Sequence, residues 1–586
     1  MILRGGLLTV ILAVVLYSCK KDGNSPSSIK LSQETAVFDA NGGTLDLEID
    51  CNTEFHILNS ENWLEYEHQS SKSRSSGKQN VTITISPNND LSDRKTYLLF
   101  KSADNQTEAV LQITQTGGAI TSFKFRAEDN PEYLTEDLIM SIDEKEITVR
   151  TPQYLNLKNL IATFDSRAVT VEVDGVEQVS GSTLNDFNKP LTYSLSFPSG
   201  EKVEYTVKVT SFTGLPAMFI TTQGKVDVTS KDDYLTASIK IDGLSEFPDL
   251  DKEVQIKGRG NSTWGFPKKP YRLKFDKKES VLGFPAHKSW VLLANYLDKT
   301  AQRNEIAFVM SRFTDLEWTP RSQFVELFLN ERYDGTYQLV EMIKIAKDRV
   351  NVSDDGFIVE IDHISKKQPD DIDFSTPRLR FVIKDPDVTA GDSHYDFIKG
   401  YVNNVESVLF GDDYLDPVDG YRKYIDIESF VDWYLVNEIT KNNDAIFFSS
   451  CYMNYAPGGK LKMGPVWDFD LAFGNINTNN CDDPIGFYIK NASWYTRLFT
   501  DPEFISCVKE RYQAFRLRTL DILNHINTNA PYLQWSALEN NNRWGILYQP
   551  AEATDAVWGS YNREVQFMRN WLNQRLTWLD NAIMEL

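Results

Sequence analysis

Between residues 29 and 214 the chain alternates apolar and polar positions, and beyond residue 214 that pattern gives way to helical spacing. Leu45-x-Leu47-x-Ile49 and Val81-x-Ile83-x-Ile85 carry the alternation through residues 29–117, with turn signals at Asn41-Gly42-Gly43 and Pro87-Asn88-Asn89-Asp90. A period of two puts successive side chains on opposite faces of a strand, which predicts a small antiparallel sandwich. Residues 119–214 repeat the style in Ile147-x-Val149, Val169-x-Val171-x-Val173 and Tyr205-x-Val207-x-Val209, predicting a second one. Phe212-Thr213-Gly214-Leu215-Pro216 reads as a linker. In residues 215–586 a helix is expected over 298–313, with Ile306, Val309, Met310 and Phe313 on one face, and another over 425–439. Every tryptophan except Trp63 lies in this α+β region, and most should be core.

The length, 586 residues, predicts several domains. A net charge of -22 repels phosphate backbones and argues against nucleic-acid binding, so an anionic substrate needs a local basic pocket. At the N-terminus Arg4 precedes an apolar run, Leu7 to Leu16, that suits a signal-peptide core (1–18). The run ends in Leu16-Tyr17-Ser18-Cys19, which resembles a bacterial lipobox. That reading makes the chain an exported lipoprotein, lipidated at Cys19 and tethered by polar residues 19–28 to the outer membrane, on its surface or periplasmic side. Four further cysteines and six scattered histidines form neither a disulfide scaffold nor a zinc spacing.

Chemistry concentrates in residues 430–470. An apolar helix should end near Thr440, followed by the polar break Lys441-Asn442-Asn443-Asp444, a strand over 445–452, a turn at Pro457-Gly458-Gly459, a return strand over 461–467, and then Asp468-Phe469-Asp470. Kinases place a base Asp before a hairpin and a metal-holding Asp after it, and Asp444 and Asp468 are 24 positions apart. Asp468 and Asp470, at i and i+2 of a strand, would share a face and offer hard oxygens to Mg²⁺ or Mn²⁺. Upstream, Lys257-Gly258-Arg259-Gly260-Asn261 and the strand Tyr271-Arg272-Leu273-Lys274-Phe275 set cations beside a Gly-containing loop, as polyphosphate requires.

Several blocks in order resemble the spore-coat CotH kinases, atypical protein kinases: Arg259-Gly260-Asn261-Ser262-Thr263-Trp264, Trp290 to Thr300, Arg303-Asn304, Glu326 to Tyr337, and Gly464-Pro465-Val466-Trp467-Asp468-Phe469-Asp470. The resemblance covers residues 215–518. It implies an atypical kinase-like domain that transfers phosphate from ATP to Ser/Thr of an envelope or surface protein. Asp444 would be the catalytic acid, Asp468 and Asp470 metal ligands, and Arg259, Asn261 and Lys274 phosphate-side groups. Glu341 would sit near the inter-lobe hinge, and Gln302 or Glu305 would orient the lysine. Lys274, Asp444 and Asp468 are then expected to line one cleft. Where a kinase places a second metal-binding Asn this chain has Ser449, so either Asn443 or Asn454 substitutes, or only one metal binds, or the domain has lost activity. The Asn-Gly-Gly turn, Glu61-Asn62-Trp63-Leu64 and Gln112-Ile113-Thr114-Gln115 resemble a BACON module, implying an immunoglobulin-like fold and either glycan or mucin contact or a spacer. The whole then reads as two all-β immunoglobulin-like sandwiches followed by the kinase-like domain. Two alternatives stand beside the enzyme: a catalytically inactive surface adhesin using the fold as scaffold, and, ranked last, a glycosidase using Asp444 and Asp468.

Overall fold

The computed structural model describes residues 16–17, 27–40, 42–69, 78–88, 91–152, 154–198, 200–550 and 557–586. Cys19, most of the leader and most of the tether lie outside the described residues. The chain forms two compact units, Met1–Phe212 and Thr213–Leu586.

The first unit is β-rich and holds two separate cores. In one, a sheet ordered Leu16–Tyr17, Phe55–Leu58, Arg94–Ser102, Glu108–Gln115, Thr35–Phe38 and a sheet ordered Ile29–Leu31, Gly43–Cys51, Lys78–Ile85, Leu64–Gln69 enclose Leu47, Ile57, Trp63, Ile83 and Phe100. The other lies around Phe123, Phe164, Tyr193 and Tyr205, built on a six-stranded sheet in which Glu146–Arg150 pairs parallel with Lys202–Thr210. Period-two burial along Lys202–Thr210 shows why alternation was legible: Val203, Tyr205, Val207 and Val209 are buried and their neighbours face out.

In the second unit seven strands close into a barrel, an arrangement that the alternation alone does not indicate. They are β1 (Ala217–Thr222), β2 (Leu235–Asp242), β3 (Leu250–Gly258), β4 (Tyr271–Glu279), β5 (His287–Leu293), β6 (Ser322–Leu329) and β7 (Arg332–Glu341). Closure comes from a parallel pairing of β1 with β6, Ala217 opposite Glu326 through Ile220 opposite Leu329, which leaves the sheet without an edge. Ile239, Ile256, Leu273, Trp290, Leu327 and Leu339 fill its interior. Beside it stands a five-stranded sheet of β8 (Phe357–Ile361), β9 (Asp373–Ser375), β10 (Arg380–Asp385), β11 (Cys451–Tyr455) and β12 (Leu461–Met463). Seven α-helices complete the unit among the described residues: α1 (Arg303–Arg312), α2 (Ser393–Leu409), α3 (Ile427–Thr440), α4 (Ser493–Leu498), α5 (Pro502–Arg516), α6 (Thr519–Trp544) and α7 (Tyr561–Ala582). Trp433, Trp467, Trp494 and Trp571 join one large core here, whereas Trp535 and Trp558 are exposed.

Three local expectations need correction. The helix over 298–313 starts only at Arg303, because Asp298 accepts hydrogen bonds from Thr300 N (2.9 Å) and Arg303 N (2.8 Å) and holds 298–302 as a buried turn. Residues 445–450 are not strand: Asn443–Ala445 is a 3-10 turn, and Asp444 O accepts from Phe448 N (3.0 Å) and Ser449 N (3.3 Å), so the chain coils before β11 begins. The return strand ends at Met463, since Gly464 has φ 111° and Pro465 has no N–H to pair.

His287, at the start of β5, accepts from Ser289 N through Nδ1 at 3.0 Å. Burial, helped by the Arg349 charge, lowers its pKa to about 4. The unfolded imidazole titrates near 6.5, so the folded chain binds fewer protons between these values. The stability is whole above about pH 6.5 and is lost as pH falls toward 4. Thermal unfolding at pH 7 and pH 5 should therefore cost the wild type more Tm than His287→Asn. Equal losses would remove His287 as the cause.

Candidate functional site

A cleft of about 520 Å³, the size of a small-molecule site, opens between the barrel wall and the second sheet. The barrel side supplies Lys257, Arg259, Gly260 and Asn261 from the end of β3 and its loop, Arg272 from β4, and Asn304 from α1. The facing side supplies Glu360 from β8, Lys384 from β10, Asp444 and Ser450 from the segment between α3 and β11, Tyr452 from β11, and Asp468 and Asp470.

Close packing shapes the loop after β3. A Cβ on Gly258 would lie 2.2 Å from the Trp264 ring, and Gly260, at φ 90°, has Thr263 Oγ1 where a Cβ would be. Lys268, in the same loop, donates to Thr336 O and to Asn540 Oδ1, the latter at 2.9 Å, and so ties the loop to α6. Its burial lowers the ammonium to about 7. Arg259 reaches over the Trp467 ring at 5.8 Å, close enough for a cation–π contact, and faces the Asp468 charge.

The three acids come from two segments, Asp444 from the coil after α3 and Asp468 and Asp470 from the turn after β12. Asn442 Oδ1 accepts from Asp444 N at 3.4 Å and Asn442 Nδ2 donates to Asp468 O at 3.1 Å, so one asparagine ties the two acidic segments together. Asn443 Nδ2 donates to Asp444 Oδ1 at 3.0 Å, and Ser450 Oγ to Asp468 Oδ2 at 3.0 Å. Phe469 N donates to Asn304 Oδ1 at 2.8 Å, anchoring the acidic turn to α1. Burial, then the Asp468 charge, raises Asp444 to about 6. Asp468 is raised by burial against the pull of Arg259, and Asp470 by burial and by both other acids. Three carboxylates sharing one half-buried space resist ionising together.

Asp444, Asp468, Asp470, Arg259 and Asn261 thus meet in one cleft, while Lys274 and Glu341 stand outside it. Lys274 is exposed, near the Tyr234 ring at 5.8 Å. It shares the outer barrel face with Arg272 but stands two residues, roughly 7 Å, further along β4, where the strand has passed the cleft. Of these two β4 cations, Arg272 is the one that lines the cleft. Glu341 is fully buried and bound to Arg321, side chain to side chain at 3.0 Å, and Met342 to Lys344 after it line the cleft instead. Neither candidate for orienting a lysine does so: Gln302 donates to Tyr561 OH (2.9 Å), and Glu305 binds Arg312 (3.0 Å) and Ser322. Asp468 is not on a strand but in a turn at φ 68°. Ser449 donates to Asp362 (2.8 Å), and Asn454 donates to Gly464 O (3.1 Å) away from the cleft. Arg272, Lys366, Glu360, Lys384 and Tyr452 were missed as cleft residues. Only Arg272 had a signal, the basic strand face; the others belong to no local motif.

Comparison with known proteins decides the family. The CotH kinase protein model matches residues 256–579, more than half of the chain. The chain belongs to the CotH kinase family. The CotH match reaches well beyond residue 518, taking in α6 and most of α7, so these helices are part of the kinase-family domain. Residues 53–116 match the BACON domain model. The xyloglucan-specific endo-beta-1,4-glucanase BoGH5A of Bacteroides ovatus is 29% identical over 126 residues, 21% of this chain, which thus spans about a quarter (24%) of that relative's length. Among solved structures, a Bacteroides ovatus GH5 xyloglucanase in complex with a XXXG heptasaccharide is 27% identical over 16% of this chain and 20% of that one, with a TM-score of 0.14. The protocadherin GammaB4 extracellular domain is 11% identical over 62% of this chain and 56% of its own, with a TM-score of 0.15. Scores this low say nothing of this chain's architecture.

Proposed function

We propose that the CotH domain is an atypical kinase that transfers a phosphoryl group from ATP to Ser/Thr hydroxyls of an envelope or surface protein. The observation that carries this reading is the meeting of Asp444, Asp468 and Asp470 with Arg259 and Arg272 in one cleft. The donor set fits a divalent cation and a polyphosphate. Raised carboxylates want a cation between them, and Arg272 Nε is buried on the barrel wall with no hydrogen-bond partner. Asp468 and Asp470 would hold Mg²⁺ or Mn²⁺, which would neutralise charge on the phosphates. Arg259 and Arg272 would bind phosphate oxygens, the second replacing Lys274, and Asp444 would take the acceptor hydroxyl proton.

The displaced Lys274 favours one rival, an inactive scaffold on a surface adhesin. The matched relative is named for xyloglucan, and glycan or mucin contact by the N-terminal sandwich belongs to that rival as well as to the enzyme. Under either reading the chain is exported, lipidated at Cys19 and held at the outer membrane.

Thermal unfolding with ATP and Mg²⁺ or Mn²⁺ tests the nucleotide site. A ligand that binds only the folded state raises Tm, by about 2.7 kcal/mol of stability at a hundredfold excess over Kd. The rise should need the metal and vanish in Asp468→Ala. No rise in a folded wild type would leave the scaffold reading.

A further inference from the structure

Lys366 lines the cleft from the side that carries the acids, at the end of a 3-10 turn (Ile364–Lys366) between β8 and β9. This turn is tied to the coil that holds Asp444. His363 N donates to Phe448 O at 2.8 Å, the two rings stack at 5.4 Å, and Phe448 N donates in turn to Asp444 O at 3.0 Å. Lys366 N donates to His363 O at 2.8 Å, and Lys366 O accepts from Gln368 Nε2 at 2.9 Å, so its backbone is fixed on both sides. The half-buried side chain sets its ammonium 5.2 Å from the centre of the Phe448 ring.

Neighbouring lysines of the cleft are already engaged. Lys384 pairs with Glu360 at 3.0 Å and Lys344 with Asp385 at 3.2 Å, while Lys231 donates to Gly260 O at 3.1 Å and to Gln368 Oε1 at 3.2 Å. The Lys366 ammonium makes no hydrogen bond or ion pair among the described residues. Burial raises both Asp444 and Asp468, and the Lys366 charge works against that rise in each. A cation within electrostatic reach of both acids is placed for the space between them. Under the kinase reading, on which this inference rests, the γ-phosphoryl group crosses that space from the metal side at Asp468 to the acceptor oxygen at Asp444, with its charge spread over three equatorial oxygens.

We propose that Lys366 is a catalytic residue whose ammonium donates to an equatorial oxygen of the transferring phosphoryl group. In that step the acceptor O–H gives its proton to the Asp444 carboxylate and the acceptor oxygen bonds to the γ-phosphorus. The bond from that phosphorus to the β,γ-bridging oxygen breaks, and its electron pair leaves on ADP. Lys366 supplies charge and a hydrogen bond and gives up no proton. Its contact forms with the group in transit, so it acts on the transition state more than on nucleotide affinity.

Thermal unfolding of the full chain with ADP and Mg²⁺, with and without aluminium fluoride as a stand-in for the transferring group, tests this. The wild type should gain a Tm rise from ADP and Mg²⁺ and a further rise from the fluoride. Lys366→Met should keep the first, which shows that it is folded, and lose the second; Lys366→Arg should recover part of it. In ADP release from ATP, Lys366→Met should lower kcat about a hundredfold or more and leave the KM for ATP within about twofold. A full fluoride increment or a wild-type kcat in Lys366→Met would overturn the proposal and leave the kinase reading standing. Loss of both Tm rises in a folded Lys366→Met would make Lys366 a nucleotide-binding residue instead. A wild type that responds to ADP and Mg²⁺ but gains nothing from the fluoride would also overturn it. No response to ADP and Mg²⁺ in the wild type would remove the kinase reading and this inference together.

Discussion

Asp444→Ala should lower phosphoryl transfer by about two to four orders of magnitude and leave the nucleotide-dependent rise in Tm in place. The size is that of a lost general base. The split follows from how the loop is built, because the Asp444 side chain does little to hold it. Its backbone carbonyl accepts from Phe448 and Ser449, and Asn442 Oδ1 accepts from its N–H. Among the described residues, the carboxylate itself receives only Asn443. Asp468, by contrast, faces Arg259 and receives Ser450, so its loss should remove nucleotide binding itself. Transfer assays and thermal shifts on the two variants read the difference. A transfer rate within twofold of wild type would take the base role from Asp444. Loss of the Tm rise as well would make it a binding residue.

The second large effect concerns the fold. Glu438 on α3 and Arg575 on α7 are both fully buried and paired at 2.6 Å. Arg575 also donates to the carbonyls of Pro484 and Gly486 at 2.8 Å, and Glu438 accepts from Tyr488 N (2.8 Å) and Lys490 N (2.9 Å). The pair thus fixes the 484–490 segment between two helices. Removing one partner strands a charge in the core, and Glu438→Ala should destabilise the CotH domain by about 3–5 kcal/mol. Arg575→Met should cost a similar amount. The double variant should cost less than the sum, because neither charge is then left alone. Chemical denaturation of the four proteins measures this, and additive single losses would mean that the pair does not act as a unit.

How far these features were legible differs residue by residue. The pattern change near residue 214 lies close to the division between the units at Phe212 and Thr213. The family blocks were likewise local strings, and their order was enough to identify the CotH kinase family that the match over 256–579 establishes. Asp444 and Asp468 were paired from the polar break, hairpin and acid turn between them, and the cleft does bring them together.

Placement across the barrel was not legible. Alternation along β4 correctly put Arg272 and Lys274 on one face, but only the packing of the second sheet against the barrel decided that the cleft meets Arg272. Glu341 was read as a hinge acid, yet Arg321 claims it from 20 residues upstream, across the pairing of β6 with β7. Barrel closure depends on β1 meeting β6 about a hundred residues later. The sequence by itself determined the order of elements, the faces of the strands and the family, because these follow from spacings of a few residues. Which charges share a space was decided only by the tertiary structure, because burial and electrostatic coupling depend on distances between elements far apart in the chain.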